Sequence, residues 1–174
     1  DELLSGINIP QMAQARQIFP RPILTDVAEA VRQEMKKPGV LDSVKAGDSV
    51  AVTVGSRGIA NLPVIIREII DSLKQAGAQP FIVPTMGSHG GASAEGQTEV
   101  LAGLGITPES MGVPIRATME VVNLAEQGQS PVFFDKIAIT AKHTVVVGRV
   151  KMHTSFRGPY ESGLVKMIAI GLGK

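Results

Sequence analysis

The sequence predicts an α/β fold with a largely parallel, Rossmann-like sheet, helices on both faces, and a ligand crevice at the carboxyl ends of the strands. Two observations predict this fold. Short apolar runs alternate with amphipathic helical patterns, and glycine-rich segments follow the apolar runs. Because crossovers between parallel strands are right-handed, the loops after the strands meet at one edge of the sheet, where such sheets bind ligands. The 174 residues suit a single domain.

The first regular element is a helix that begins at Thr25 and ends before Pro38. Threonine is a favourable N-cap, and apolar residues recur at helical spacing between these two positions. Residues 1–24 contain three prolines, which interrupt any longer element. We therefore expect the first 24 residues to be irregular.

Two strand–loop–helix units follow. In the first, residues 49–54 are predicted as a buried strand and residues 61–76 as a helix, with Gly77 at the position where glycine commonly ends a helix. The second unit has a strand at residues 81–83 and a helix over about 93–104. This repetition is the main reason to expect a parallel sheet.

Smaller elements complete the prediction. Thr107 begins a short helical turn, and residues 119–124 and 131–134 are predicted as two strands joined by a turn. Residues 136–142 are predicted as a short helix. Residues 144–147 are predicted as a fully apolar strand that leads into a basic, glycine-rich segment. A strand that ends in basic, glycine-rich residues is typical of one wall of an anion-binding site.

Composition excludes several function classes. The 17 Lys and Arg nearly balance the 16 Asp and Glu, so no charge pattern favours nucleic acid or an anionic membrane surface as a partner. The absence of Cys excludes disulfides, thiolate metal sites and cysteine nucleophiles. No apolar run approaches the ~20 residues of a membrane span, and no signal peptide is evident. We therefore expect a cytoplasmic protein.

Three glycine-rich loops each follow a predicted strand, and they carry the side chains of interest. The loops span residues 55–58, 87–91 and 148–158. Parallel pairing would bring them together at one edge of the sheet. Arg57, His89 and His153 would then surround one crevice together with nearby lysines.

The chemistry of these side chains suits an anionic ligand. Imidazole titrates near neutrality, so His89 and His153 are candidates for an acid/base pair; the alternative is that both are surface loop histidines. A guanidinium binds carboxylate or phosphate through two hydrogen bonds, which makes Arg57 a candidate ligand-binding residue. The alternative for Arg57 is a surface salt bridge.

Lys166 lies within an otherwise apolar segment, residues 164–170. Such a lysine either reaches the polar edge of a buried helix or is desolvated. Desolvation would lower the pKa of its amine and make it a usable nucleophile. The periodicity of the segment favours the polar edge.

The three loops and the segment after them resemble the N-terminal domain of the nickel-dependent lactate racemase family. The motifs, in chain order, are GSRGI at 55–59, GSHG at 87–90, GRVKxHT at 148–154, ESGLxKM at 161–167 and IGLGK at 170–174. The resemblance runs from about Ile9 onward. One departure is Val54, which stands where the lactate racemase itself has an aspartate three positions before the arginine, so the identity of the 2-hydroxy acid stays open.

The resemblance implies a racemase or epimerase of a lactate-like 2-hydroxy acid that uses a nickel-pincer nucleotide cofactor derived from nicotinic acid mononucleotide. The cofactor's pyridinium ring accepts a hydride from C2 of the substrate and returns it to either face. By position, His89 and His153 would be the acid/base pair and Arg57 would bind the substrate carboxylate. Lys166 would form the thioamide bond to the cofactor, with Lys151 as the alternative tether.

The family's nickel-ligating histidine and C-terminal domain would both follow residue 174. We therefore expect residues 1–174 to be part of the N-terminal domain of a longer two-domain enzyme, inactive alone and without retained cofactor. A different class of function is a non-catalytic α/β module that binds a phosphorylated or carboxylated small molecule. A third is an assembly domain whose sheet edge pairs with another copy in a homo-oligomer.

Overall fold

The computed structural model describes residues 11–20, 22–56, 58–126, 128–153, 155 and 157–174. It confirms the mixed α/β class. The helices are α1 Val27–Met35, α2 Leu62–Gln75, α3 Ala94–Gly103, α4 Pro108–Met111 and α5 Leu164–Lys166. The strands are β1 Ser49–Val54, β2 Gln79–Pro84, β3 Val121–Asn123, β4 Phe133–Asp135 and β5 His143–Val145. Single 3₁₀ turns occupy Gly90–Ala92 and Ala138–Thr140, and a π-helical stretch, Met167–Leu172, continues α5.

The parallel sheet is smaller than the sequence predicted. In the described part of the chain it has three strands in the order β2-β1-β5, all parallel. The segment around Ile115 adds a single parallel bridge to Ile82 on the outer edge of β2. The predicted strands near residues 121 and 133 pair with each other as a separate antiparallel ribbon. A sheet of this size establishes α/β architecture without establishing a Rossmann-like fold.

The two faces of β1 enter two separate hydrophobic clusters. Val50, Val52 and Val54 pack with the apolar stripe of α2, whereas Ala51 packs with Leu172 on the opposite face. This division follows from the alternation of side chains along a strand. Both faces of the central strand are therefore covered. Leu172, which covers the face opposite α2, belongs to the π-helical stretch that follows α5.

Local capping explains where the helices begin and end. The N-cap of α1 is Asp26 rather than the predicted Thr25, because the Asp26 carboxylate accepts a 2.8 Å hydrogen bond from the backbone N–H of Glu29. A carboxylate at that position also interacts favourably with the helix dipole. Gly77 follows α2 with a φ of 81°, the left-handed conformation predicted for it.

The helices of the described residues are short. None of them is long and apolar enough to cross a bilayer.

Candidate functional site

A crevice of about 280 Å³ lies at the carboxyl ends of the three parallel strands. As predicted, the three glycine-rich loops all line it. They contribute Gly55, Ser56 and Gly58; Gly87, Ser88 and His89; and Gly148, Arg149 and Lys151. The pairing of β1 with β2 remains in register to the last residue of each strand, Val54 opposite Pro84, which is why the loops after them stay adjacent.

The fourth wall of the crevice carries Lys166, the residue that the resemblance places at the cofactor. It consists of α5 and the π-helical stretch after it, which present Lys166, Met167 and Ile170. Close approach is possible because Gly171 has no side chain: a Cβ there would lie 2.9 Å from the Cβ of Thr85. The signal in the sequence was the pair of glycines that flank an apolar segment, which marks close packing without naming the partner.

His89 lines the crevice and contacts Ser56. The Oγ of Ser56 lies 2.5 Å from Nδ1 of His89, and both side chains are partly buried. The two residues come from loops after neighbouring strands, so their contact depends on the register of β1 and β2. Sequence reasoning identified His89 but gave Ser56 no role.

His153 does not line the crevice, although Lys151, two residues earlier, does. The His153 ring is half-buried in the adjoining loop, where its Nδ1 accepts a 3.2 Å hydrogen bond from the backbone N–H of Ser155. The structure therefore brings His89 and Lys166 into one crevice, and it leaves the second predicted base beside that crevice.

The loop that carries Lys151 and His153 is closed by Glu161 and Ser162. One Glu161 oxygen accepts the backbone N–H of His153 at 2.8 Å, and the other accepts that of Gly158 at 3.0 Å. These two hydrogen bonds hold the pKa of the Glu161 carboxyl below its usual value. Ser162 bonds the backbone of Lys151 twice, since its hydroxyl accepts from the N–H and donates to the carbonyl.

Arg57 lies outside the described residues, so its predicted role in carboxylate binding stays a prediction. Its neighbours Ser56 and Gly58 both line the crevice. Arg149 donates a 2.6 Å hydrogen bond from Nη1 to the carbonyl of Gly58. This contact links the loop after β1 to the loop after β5.

Lys166 is exposed at the crevice wall. Of the two interpretations of this lysine, the structure agrees with the polar edge, and the desolvated amine is not found. The expectation of a buried helix around it is wrong, since Leu164, Val165, Ile168 and Ile170 are each about half exposed. Leu172, two residues after the end of this segment, enters the core.

The crevice lining is cationic. Arg149, Lys151 and Lys166 contribute to it, and no carboxylate does among the residues that the structure describes. Thr85 adds a polar group to the same lining; it is 2% exposed, and its hydroxyl has no hydrogen-bond partner in the described part of the chain. A cationic wall with an unused buried hydroxyl suits an anionic ligand that accepts hydrogen bonds.

A larger hollow, of about 440 Å³, lies between the carboxyl-terminal ends of α1 and α2. It is also basic, but Arg32 is paired with Glu29 and Glu68, and Lys37 is paired with Glu34. Because α2 ends just before β2 begins, this hollow lies at the opposite edge of the sheet. We favour the smaller crevice as the functional site, since it alone combines the strand-end loops.

Between residues 11 and 174 the structure describes all but five positions, the first of them Arg21 and the last Phe156. Among the residues it describes, no cluster of three or more His, Cys, Asp or Glu side chains is able to hold a metal ion. Comparison with protein-family profiles, characterised proteins and solved structures gives no significant match. The function of the chain is therefore inferred from its motifs and from the geometry of the crevice.

Proposed function

We propose that this chain carries the crevice of a nickel-dependent racemase or epimerase of 2-hydroxy acids. One observation supports the proposal above the others. His89, a candidate acid/base group, and Lys166, a candidate tether, line the same cation-rich crevice although they are 77 positions apart in sequence. An anionic cofactor and an anionic substrate would both be attracted to such a lining.

The crevice residues fit the organic part of the nickel-pincer nucleotide. The exposed amine of Lys166 is available for a thioamide bond, and Arg149 and Lys151 would accompany a phosphate. The buried Thr85 hydroxyl would donate a hydrogen bond to an anionic oxygen. Nickel itself finds no cluster of ligands among the described residues, so its protein ligand would come from elsewhere in the enzyme.

The chain's own residues would bind the substrate and move its proton. When bound, the cofactor supplies a hydride acceptor that a protein side chain cannot provide. His89 would take the substrate's hydroxyl proton and later return it. Arg57 would hold the carboxylate, and His153 would serve as the second base from the loop beside the crevice.

The decisive experiment uses the full-length protein made together with the enzymes that synthesise the cofactor. We expect mass spectrometry to find the added cofactor on Lys166, and a chiral assay to find racemisation of lactate or a related 2-hydroxy acid. Lys166→Arg should abolish both, whereas Lys45→Arg, an exposed lysine far from the crevice in sequence, should change neither. An unmodified Lys166 with no racemisation of any 2-hydroxy acid tested contradicts the proposal.

A second candidate function is a non-catalytic module for a phosphorylated or carboxylated small molecule. The position of His153 beside the crevice favours it, because the two-base arrangement is not assembled there. Titration with inorganic phosphate and with lactate separates the two candidates. A binding module retains anion affinity in His89→Ala and His153→Ala and loses it in Arg57→Ala, whereas an activity abolished by either histidine change supports the racemase.

A further inference from the structure

We infer that Ser56 is a positioning residue for His89. Its hydroxyl binds Nδ1 of the ring, so that His89 exchanges its proton with a ligand through Nε2. The chemical consequence of this role rests on the proposed function, but the contact and its effect on the ring do not.

The two residues are held together by the end of the sheet. Beyond the last strand pair, the backbone N–H of Thr85 donates a 2.9 Å hydrogen bond to the carbonyl of Val54. Ser56 follows two residues after Val54, and His89 follows four residues after Thr85. The loops therefore leave the sheet side by side, and the 2.5 Å contact between Oγ and Nδ1 closes the space between them.

The backbone just before His89 is also fixed, by a hydrogen bond to a buried side chain. Gly87 has a φ of 60°, and its carbonyl accepts a 2.7 Å hydrogen bond from Nε2 of Gln97, which is fully buried in α3. Gln97 therefore fixes the backbone of this loop, and Ser56 fixes the ring of His89. A ring fixed at Nδ1 presents the same nitrogen to every ligand.

A hydroxyl suits this role better than a carboxylate in a racemase. It accepts the hydrogen bond from Nδ1–H in both the neutral and the protonated ring, while Nε2 loses and regains the exchanged proton. A racemase runs one reaction in both directions, so the ring must act both as base and as acid. A carboxylate would accept the same hydrogen bond, but its negative charge would favour the imidazolium form. Ser56 stays bonded to the ring in both states.

The test is ¹⁵N NMR of the histidine rings, which reports the tautomer and the hydrogen bonding of Nδ1 without any bound cofactor. Ser56→Ala should move the His89 signals toward those of a solvent-exposed imidazole. Ser56→Thr, which keeps the hydroxyl, should retain the wild-type signals. Ser43→Ala, an exposed serine, is the matched control and should leave His89 unchanged.

In the loaded enzyme, Ser56→Ala should lower kcat by about 10-fold or more with little change in KM, since positioned acid–base catalysis contributes roughly 10²–10⁴-fold. Ser56→Thr should restore most of that loss. Unchanged His89 signals in Ser56→Ala overturn the inference even where the enzyme racemises its substrate. Covalent labelling of Ser56 by a fluorophosphonate also overturns it, because that would mark a nucleophile. A shifted tautomer in a protein with no racemase activity supports the positioning role and contradicts the proposed function.

Discussion

Asp135 and Lys174 form an ion pair that is almost completely removed from solvent. Nζ of Lys174 lies 2.9 Å from Oδ2 of Asp135, and the two side chains are 4% and 0% exposed. No donor is aligned for a hydrogen bond to Oδ2 in the described part of the chain, so the contact is ionic. The pair joins β4 to the end of the segment that forms the fourth wall of the crevice.

Each side chain of this pair also forms hydrogen bonds with backbone groups. Oδ1 of Asp135 accepts the N–H groups of Ile137 and Ala138 at 2.8 and 2.7 Å, and Nζ of Lys174 donates to the carbonyl of Pro84 at 3.1 Å. Two charges therefore connect β4, the turn after it, the end of β2 and the crevice wall. We infer that the pair fixes that wall against the sheet.

Breaking this pair from one side should destabilise the fold strongly. Asp135→Asn leaves the ammonium of Lys174 buried without its counter-charge, and we expect the free energy of unfolding to fall by about 3–5 kcal/mol. Urea denaturation measures it. The exposed pair of Lys136 and Glu120 is the control, since Lys136→Gln should change stability by less than about 1 kcal/mol.

The double variant Asp135→Asn with Lys174→Met separates the buried charge from the lost packing. It removes both charges, so we expect it to recover a large part of the stability lost in Asp135→Asn alone. A single Asp135→Asn variant as stable as the wild type would show that the pair does not hold the wall.

Glu161 should order its loop in a pH-dependent manner. Its carboxylate accepts the N–H groups of His153 and Gly158, which lowers its pKa from the usual 4.5. A depressed folded-state pKa contributes stability above the unfolded value and loses it as the pH falls through the folded value. Hydrogen exchange should therefore show both amides protected at neutral pH and unprotected once Glu161 is protonated, at a pH below 4.5.

Glu161→Gln is the variant that checks this assignment. It should weaken protection of the His153 and Gly158 amides at neutral pH and remove the acid transition. Glu126→Gln, at an exposed glutamate, should leave both properties as they are in the wild type. Protection that persists in Glu161→Gln would assign the order of the loop to other contacts.

Asp48 and His143 connect the starts of β1 and β5. Oδ2 of Asp48 lies 2.9 Å from Nε2 of His143 and accepts the backbone N–H of Lys45 at 2.9 Å, and these bonds lower the pKa of Asp48 from 3.8. Asp48→Asn should therefore be less stable than the wild type at neutral pH. The difference should vanish as the pH falls through the folded-state pKa of Asp48, below 3.8.

Parallel measurements of thermal unfolding across pH test this prediction. Asp42→Asn, at a carboxylate that binds the backbone of Gly39 without a histidine, is the control for a simple loss of charge. A difference between Asp48→Asn and the wild type that stays constant down to pH 3 would contradict the assignment of the stability to this carboxylate.

The sequence predicted those features that depend on local pattern and on strand order. The loops at Gly55, Gly87 and Gly148 meet because apolar runs form parallel strands and because glycine follows each run. The contact between Ser56 and His89 depends on the register of two strands, which no single segment encodes. The exposure of Leu164 and Val165 at the fourth wall was not predicted, because their apolar run has the pattern of a buried helix.

Gly171 should tolerate no side chain. A Cβ there would lie 2.9 Å from the Cβ of Thr85 and 3.1 Å from its carbonyl oxygen, so the crevice wall must move away from β2. Gly171→Ala should lower the free energy of unfolding by about 1–3 kcal/mol, as overpacking does. Gly103→Ala is the matched control, since that glycine lies in α3 and a Cβ there would have no atom within 4 Å. Alanine at this position should raise the free energy of unfolding by about 0.5–1 kcal/mol. If the two variants are equally stable, α5 and its continuation do not pack on the sheet, and the crevice loses its fourth wall.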